Sequence, residues 1–213
     1  MTQKTRIIFL GNPDNPAGTY LTEKDVRSFL KGLCKDVLVF IDEAYFEYVT
    51  AKDYVDSIGL LKAHKNVIVT RTFSKMYGLA GLRIGYGIAN PELIDLLNRI
   101  REPFNVNSLA QVGALACLKD KVYYRGLAKK VEGQRQFFYE SLGNLGLEYV
   151  KTYTNFILLN VKKDSTQVSK QLLKKGIIIR DMSVWGLNTF IRISIGTAEE
   201  NKILMRELED ILK

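Results

Sequence analysis

Three short motifs contain the polar residues that could do chemistry, and each follows a run of apolar residues. They are NPDNPAG at residues 12–18, DEAY at residues 42–45 and TFSK at residues 72–75. The third motif continues through MYGLAGLR to Arg83, eight residues after Lys75. Alone, each has an ordinary explanation, because prolines and asparagines favour turns and lysines are usually solvated. Together and in this order they favour a ligand site, because ligands of open α/β sheets bind at the carboxyl ends of strands.

The elements that position these motifs are strands alternating with helices. Apolar runs rich in β-branched residues predict strands at RIIFLGNP, DVLVFIDEAY, NVIVTRTFSK and LRIGYGIA. Thr22 is a predicted helix cap, and Asn90 is another, with Pro91 at the first helical position. Residues 54–64 predict a further helix. The alternation indicates a mostly parallel sheet covered on both faces.

The organisation changes after a long helical stretch. Residues 108–142 predict one helix or two in sequence, which Gly143 and Gly146 end. Short strands in EYVKTYTNFILLNV, GIIIRDM and FIRISIG follow, together with a helix closed by Gly176 and an amphipathic helix at the C-terminus. The predicted divisions are a large domain at 1–105, a connecting helical region at 106–143 and a small α+β domain at 144–213.

Composition narrows the classes of function. The formal charge of +8 is scattered, which favours a basic surface for anionic metabolites over a nucleic-acid site. No signal peptide and no apolar stretch of membrane-spanning length is found, so we expect a cytoplasmic protein. His64 is the single histidine, which excludes a metal site built on several histidines. Cys34 and Cys117 lack CxxC spacing and are predicted to be buried, reduced thiols.

The chain resembles the fold-type I enzymes that depend on pyridoxal 5′-phosphate (PLP), the aspartate-aminotransferase superfamily, and within it the histidinol-phosphate aminotransferases. The resemblance spans essentially the whole chain and is strongest in FLGNPDNPAG, VFIDEAYFEY, RTFSKMYGLAGLRIGY, GIIIRDMSVWG and FIRISIGT. It implies an α/β large domain that is incomplete at its N-terminus, followed by a small α+β C-terminal domain. It also implies a missing N-terminal part that supplies a stacking ring, phosphate-binding amides and a tyrosine reaching across a dimer.

By this resemblance Lys75 is the catalytic residue, which holds PLP as a Schiff base and moves a proton. Asp42 would keep the pyridine nitrogen protonated. Tyr45 and Asn15 would hydrogen-bond the 3-oxygen of the cofactor.

The same resemblance assigns residues to the phosphate of the cofactor and to the substrate. Arg83 would bind the cofactor phosphate, with Thr72 and Ser74 on that side, and which hydroxyl lies closer stays open. The implied substrate-binding residues are Arg192 for the carboxylate, Arg180 for the substrate phosphate, and Asn155. Salt bridges at strand edges are the alternative for both arginines.

The resemblance implies amino transfer between L-histidinol phosphate and 2-oxoglutarate, a step of histidine biosynthesis. It implies small-molecule amino-acid and keto-acid substrates, a homodimer in the full-length form, and no metal, nucleic acid or membrane. The alternatives are an aromatic aminotransferase, a threonine-phosphate decarboxylase, or a truncated module of this fold without catalysis. We expect this chain alone to have impaired activity and to be poorly soluble, because apolar faces would lack their cover.

Overall fold

The computed structural model describes all 213 residues, which group into two compact units. Unit 1 contains Met1–Asp14 and Tyr20–Gly126, and unit 2 contains Asn15–Thr19 and Leu127–Lys213. The domain limits expected from the sequence stay a prediction. None of the helices combines the length and the apolar character needed to cross a bilayer.

Unit 1 is built on a four-stranded mixed sheet. Its strands, in spatial order, are β1 (Ile7–Gly11), β2 (Leu38–Asp42), β3 (Val67–Thr72) and β4 (Gly85–Ala89). β1, β2 and β3 are parallel, which confirms the mostly parallel sheet, whereas β4 is antiparallel to β3. Parallel strands need a long crossover, usually helical. The connection from β3 to β4 contains only a one-turn 3₁₀ helix (Ala80–Leu82), so the chain returns antiparallel.

The helices of unit 1 are α1 (Glu23–Lys31), α2 (Ser57–Leu60), α3 (Pro91–Ile100) and α4 (Ser108–Lys119). Two of them, α1 and α3, begin at caps predicted from the sequence. Thr22 caps α1 in a reciprocal capping box with Asp25, and Asn90 caps α3 with Pro91 in its first turn. Both predicted caps are therefore confirmed.

Two predicted helices have different limits in the structure. The helix expected over residues 54–64 is a single turn, α2, which contains Gly59, a residue unfavourable inside a helix. The stretch at 108–142 is two helices, because Asp120 separates α4 from α5 (Lys121–Asn144).

The core of unit 1 lies between the sheet and α1 and α2. Its buried side chains are Val26, Leu30, Val39, Ile41, Val55, Leu60, Val67 and Val69. The expectation of cover on both faces is wrong for β1, where Ile7 is 48% exposed and Phe9 is 75% exposed. The expectation for Cys34 is also wrong, because it is exposed in the loop after α1, whereas Cys117 is buried in α4.

Unit 2 combines an antiparallel sheet with helices. Its strands, in spatial order, are β5 (Glu148–Tyr149), β6 (Phe156–Asn160), β8 (Phe190–Ser194) and β7 (Arg180–Asp181). Its helices are α6 (Ser165–Lys174), α7 (Ala198–Leu212) and the part of α5 from Leu127 onwards. GIIIRDM pairs over only two residues, fewer than expected. Gly176 has a positive φ of 79° just past α6, as its predicted role as a helix stop requires.

Candidate functional site

The carboxyl ends of β2 and β3 bring residues of the second and third motifs together. Asp42 ends β2 and pairs in register with Thr70, whose hydroxyl donates to the Asp42 carboxylate at 3.4 Å. Successive residues of a strand point to opposite faces. Asp42 is therefore exposed on one face, while Ile41 and Glu43 are fully buried on the other.

The Lys75 amine lies beside the ring of Tyr45. Tyr45 is buried and precedes a one-turn 3₁₀ helix (Phe46–Tyr48), and Lys75 Nζ lies 5.4 Å from the centroid of its ring. A cation at this distance is attracted to an aromatic ring. Lys75 is exposed, whereas Phe73 and Met76 on either side of it are buried and anchor the segment. The structure thus places the lysine of the third motif next to the tyrosine of the second.

The hydroxyl groups of Thr72 and Ser74 lie in the turn that leads to Lys75. The backbone N–H of Ser74 donates to the Thr72 hydroxyl at 3.0 Å. The turn closes where the Leu79 N–H donates to the Phe73 carbonyl at 2.9 Å. Each hydroxyl keeps a proton to donate, so the geometry leaves either residue available to a phosphate.

Arg83 has an unusual backbone conformation for a residue with a side chain. Its φ is 54°, in the left-handed region, and its Nη1 donates to the Ala80 carbonyl at 2.9 Å. Such a conformation costs about 1 kcal/mol or more for a non-glycine residue, and such strain is concentrated at functional sites. Arg83 is exposed in the turn before β4. The strained turn therefore presents a guanidinium group that could bind a phosphate.

In unit 2, Arg192 and Asn15 are hydrogen-bonded although they are far apart in the sequence. Arg192 Nη1 donates to the Asn15 Oδ1, and the guanidinium carbon lies 4.7 Å from the centroid of the Phe156 ring. Asn15 belongs to the first motif, whose Gly18 packs against Thr152 of unit 2. Residues 15–18 of the first motif therefore belong to the same unit as the FIRIS strand, and Asn15 is hydrogen-bonded to Arg192 of that strand.

The other two predicted substrate residues lie on the same sheet. Arg180 of β7 is the direct register partner of Arg192 across the antiparallel pair with β8, so the two side chains share a face. Like charges opposite each other repel, and a bound anion would relieve the repulsion. The backbone carbonyl of Asn155 accepts from the Ile195 N–H at 2.8 Å. A role for the Asn155 side chain stays a prediction.

A buried charged cluster beneath Asp42 was not anticipated from the sequence. Glu43 is fully buried, and its Oε2 accepts hydrogen bonds from Arg71 Nε and Nη2, both at 2.7 Å. Burial lowers the pKa of Arg71, but the Glu43 carboxylate outweighs it and the pKa lies above its usual value. The signal in the sequence was an arginine inside the apolar run VIVTRTF.

A second carboxyl group, that of the half-buried Glu47, lies in the same part of unit 1. Burial raises the pKa of Glu47 from 4.5 to about 7, against the opposing effect of a backbone hydrogen bond and the positive charge of Arg71. One of its carboxyl oxygens is buried without a hydrogen-bond partner. Glu47 is therefore a group of unit 1 whose charge changes near neutral pH.

Comparison with known proteins identifies the family. The aminotransferase class I and II family matches residues 1–208. This chain belongs to the aminotransferase class I and II family. It is 48% identical to the histidinol-phosphate aminotransferase of Moorella thermoacetica and 45% identical to that of Brevibacillus brevis, in each case over 100% of the chain. The matches cover 55% and 58% of those relatives, so the chain spans little more than half their length.

Solved structures of fold-type I enzymes, an aminotransferase and a decarboxylase, have the same fold as this chain. The histidinol-phosphate aminotransferase of Sinorhizobium meliloti, in complex with pyridoxal-5′-phosphate, superposes with a TM-score of 0.88 at 33% identity over 97% of this chain and 57% of that one. The L-threonine-O-3-phosphate decarboxylase of Porphyromonas gingivalis superposes with a TM-score of 0.87 at 27% identity over 99% of this chain and 65% of that one. Membership of this aminotransferase family therefore agrees with the fold observed here.

Proposed function

We propose that the chain is part of a PLP-dependent aminotransferase that exchanges an amino group between L-histidinol phosphate and 2-oxoglutarate. The products would be imidazole acetol phosphate and L-glutamate. The observation that carries the proposal is the exposed Lys75 amine beside the ring of Tyr45, in the segments that follow the paired carboxyl ends of β2 and β3, where Asp42 ends β2.

The donor groups of unit 1 fit the cofactor. Lys75 supplies an amine for its aldehyde, Asp42 an anion for its pyridinium nitrogen and Arg83 a cation for its phosphate. When bound, PLP supplies an electron sink for the carbanion formed at the substrate Cα. Lys75 would hold the cofactor covalently and would then move a proton between the substrate Cα and the C4′ of the cofactor.

The remaining cofactor contacts concern its 3-oxygen and its phosphate. Tyr45 and Asn15 would donate hydrogen bonds to the 3-oxygen, and Thr72 and Ser74 would donate to the phosphate. Arg192 can only donate, so the Asn15 oxygen faces it and the Asn15 NH₂ group stays available as a donor. The hydrogen bond between them therefore supports the role proposed for Asn15.

The substrate would bring two anionic groups. Arg192 would bind its carboxylate in the bidentate fashion that a guanidinium allows, or the corresponding group of the keto acid. Arg180 would bind the phosphate of histidinol phosphate, with Asn155 contributing a polar contact. The face shared by Arg180 and Arg192 on unit 2 supports both assignments, because two facing cations favour anionic partners. We further propose a cytoplasmic homodimer for the full-length protein.

The test is a substrate comparison with the chain joined to the part of the Moorella relative that the chain does not match. We expect 2-oxoglutarate-dependent turnover of histidinol phosphate to exceed that of phenylalanine by about tenfold or more, because phenylalanine lacks the phosphate that Arg180 would bind. Lys75→Ala should abolish it. Equal turnover of phenylalanine would contradict the substrate assignment, and retained turnover in Lys75→Ala would contradict the mechanism.

The superposition on a threonine-phosphate decarboxylase supports a second candidate reaction. A decarboxylase would release carbon dioxide from threonine phosphate without needing 2-oxoglutarate. Carbon dioxide release measured in the same joined protein separates the two reactions. We expect none above that of Lys75→Ala.

A further inference from the structure

Arg71 and Glu43 form a buried ion pair directly behind the proposed cofactor residues. Strand alternation places Asp42 on the exposed face and Glu43 on the buried face, one residue apart. Arg71 follows Thr70, the register partner of Asp42, by one residue. The ion pair therefore lies at the same level of the sheet as Asp42, on its opposite face.

The pair is held from several directions. The Arg71 guanidinium carbon lies 3.6 Å from the centroid of the Phe46 ring, and the Arg71 side chain is only 12% exposed. The Tyr54 hydroxyl lies 3.3 Å from Glu43 Oε1 and also contacts the Asn12 carbonyl. These contacts join the ends of β1, β2 and β3 with the 3₁₀ helix after Tyr45.

A buried ion pair contributes little net stability over apolar residues of similar size, because desolvation offsets the attraction. Its hydrogen bonds have strict directions, however, and fix the groups that make them. The segments joined by this pair are the ones that present Asp42, Tyr45 and Lys75.

We propose that Arg71 and Glu43 are positioning residues that fix the Asp42–Tyr45 segment relative to Lys75. The pair itself lies on the buried face and acts through the backbone and through Phe46. The expected effect on the cofactor rests on the proposed function. The position of the Asp42–Tyr45 segment can be measured on the chain without cofactor.

The first measurement is hydrogen–deuterium exchange of Arg71→Lys, which keeps the charge and loses the planar fork. The amides of Glu43, Phe46 and Tyr48 are hydrogen-bonded to Thr70, Glu43 and Tyr45, and Val39 in the core is bonded to Asn66. We expect exchange about tenfold faster at the first three amides and unchanged at Val39. Equal acceleration at all four amides, or none, would overturn the proposal.

Two further variants complete the experiment. Arg27→Lys makes the same change in the exposed Arg27–Glu23 pair and should leave all four amides unchanged. Tyr54→Phe removes one hydroxyl and keeps the ion pair, so it tests the network if Arg71→Lys fails to fold. We expect about threefold faster exchange in Tyr54→Phe at the amides of the Asp42–Tyr48 segment. Exchange no faster than in Arg27→Lys would count against the proposal.

The second measurement is the absorbance of the covalent Lys75–PLP adduct as a function of pH. We expect Arg71→Lys to shift the midpoint of this titration by about half a pH unit or more, because Asp42 and Tyr45 move away from the cofactor. An unchanged midpoint with a lower melting temperature would mean a structural role alone and would overturn the proposal. If the unchanged chain forms no adduct, the proposed function fails, while the exchange experiment still decides the positional claim.

Discussion

At the residue scale, Glu47 couples the stability of unit 1 to pH. Its folded-state pKa of about 7 lies above the ordinary value of 4.5, so the folded protein holds the proton over a range in which the unfolded chain has lost it. The stability from the protonated form is complete below the unfolded pKa. It is lost as the pH rises through the folded pKa, because the charged form is then buried.

We therefore expect the free energy of unfolding to fall between pH 4.5 and 7. The loss should be about 2 kcal/mol. Glu47→Gln should remove most of this dependence, since an amide does not ionise. Chemical unfolding followed by circular dichroism at several pH values measures it, with the exposed Glu102→Gln as the control. A pH dependence that persists in Glu47→Gln would contradict the burial of an ionisable group at this position.

Individual residues of the candidate site differ in how far the sequence alone predicts their place in it. The motifs that contain Asp42, Tyr45 and Lys75 were predicted to form a ligand site because ligands of open α/β sheets bind at the carboxyl ends of strands, and the family resemblance supplied the role of each residue. Glu43 was overlooked because a carboxylate beside Asp42 looks like a second surface charge. Its burial depends on Arg71, which lies 28 positions later in the sequence. An arginine inside an apolar run indicates a buried charge, but the local sequence does not indicate which carboxylate pairs with it.

At the element scale, the turn of the first motif depends on Gly18. Its φ is +82°, and a Cβ there would lie 2.1 Å from the Thr152 hydroxyl oxygen. That hydroxyl is itself hydrogen-bonded to Thr154 at 2.8 Å, so the neighbour cannot move away freely. The turn therefore requires glycine for its conformation and for the close packing.

Gly18→Ala should destabilise unit 2 by about 3 kcal/mol, combining backbone strain with overpacking. Gly146→Ala is a matched control, because its φ is +63° but nothing lies within 4 Å of the new Cβ. The control should cost about 1 kcal/mol. The single tryptophan, Trp185, lies in unit 2 and reports unfolding by fluorescence. Equal losses in the two variants would show that the packing on Thr152 is unimportant.

The elements were predicted best where local signals act alone. Caps at Thr22 and Asn90 satisfy the first N–H groups of their helices with nearby side chains, so the sequence is sufficient. The direction of β4 was not predicted, because it depends on how the segment from Phe73 to Ile84 folds back. The exposure of Cys34 likewise depends on what covers the end of α1.

At the scale of the whole molecule, the chain exposes apolar side chains that folded proteins usually cover. Leu109, Val112 and Leu115 of α4 are 73%, 66% and 59% exposed and follow one another at helical spacing. Phe104, just before α4, is 98% exposed. Contiguous apolar surface of this kind mediates association.

We expect the chain alone to self-associate at micromolar concentration, through surfaces that include this stripe. Replacing Leu109, Val112 and Leu115 with glutamine should increase the monomeric fraction in size-exclusion chromatography, with light scattering to measure mass. The control replaces the exposed apolar residues Leu173 and Ile178 of unit 2 in the same way. A clean, stable monomer of the unchanged chain would contradict the expectation.

The central claim is that Lys75 is the residue that binds PLP covalently, and borohydride reduction tests it most directly. The chain is mixed with equimolar PLP, reduced, digested and mapped by mass spectrometry. We predict that the added mass lies on Lys75 and is lost in Lys75→Ala but retained in Lys129→Ala, an exposed lysine of α5. Labelling spread evenly over the surface lysines and unchanged in Lys75→Ala would contradict the account.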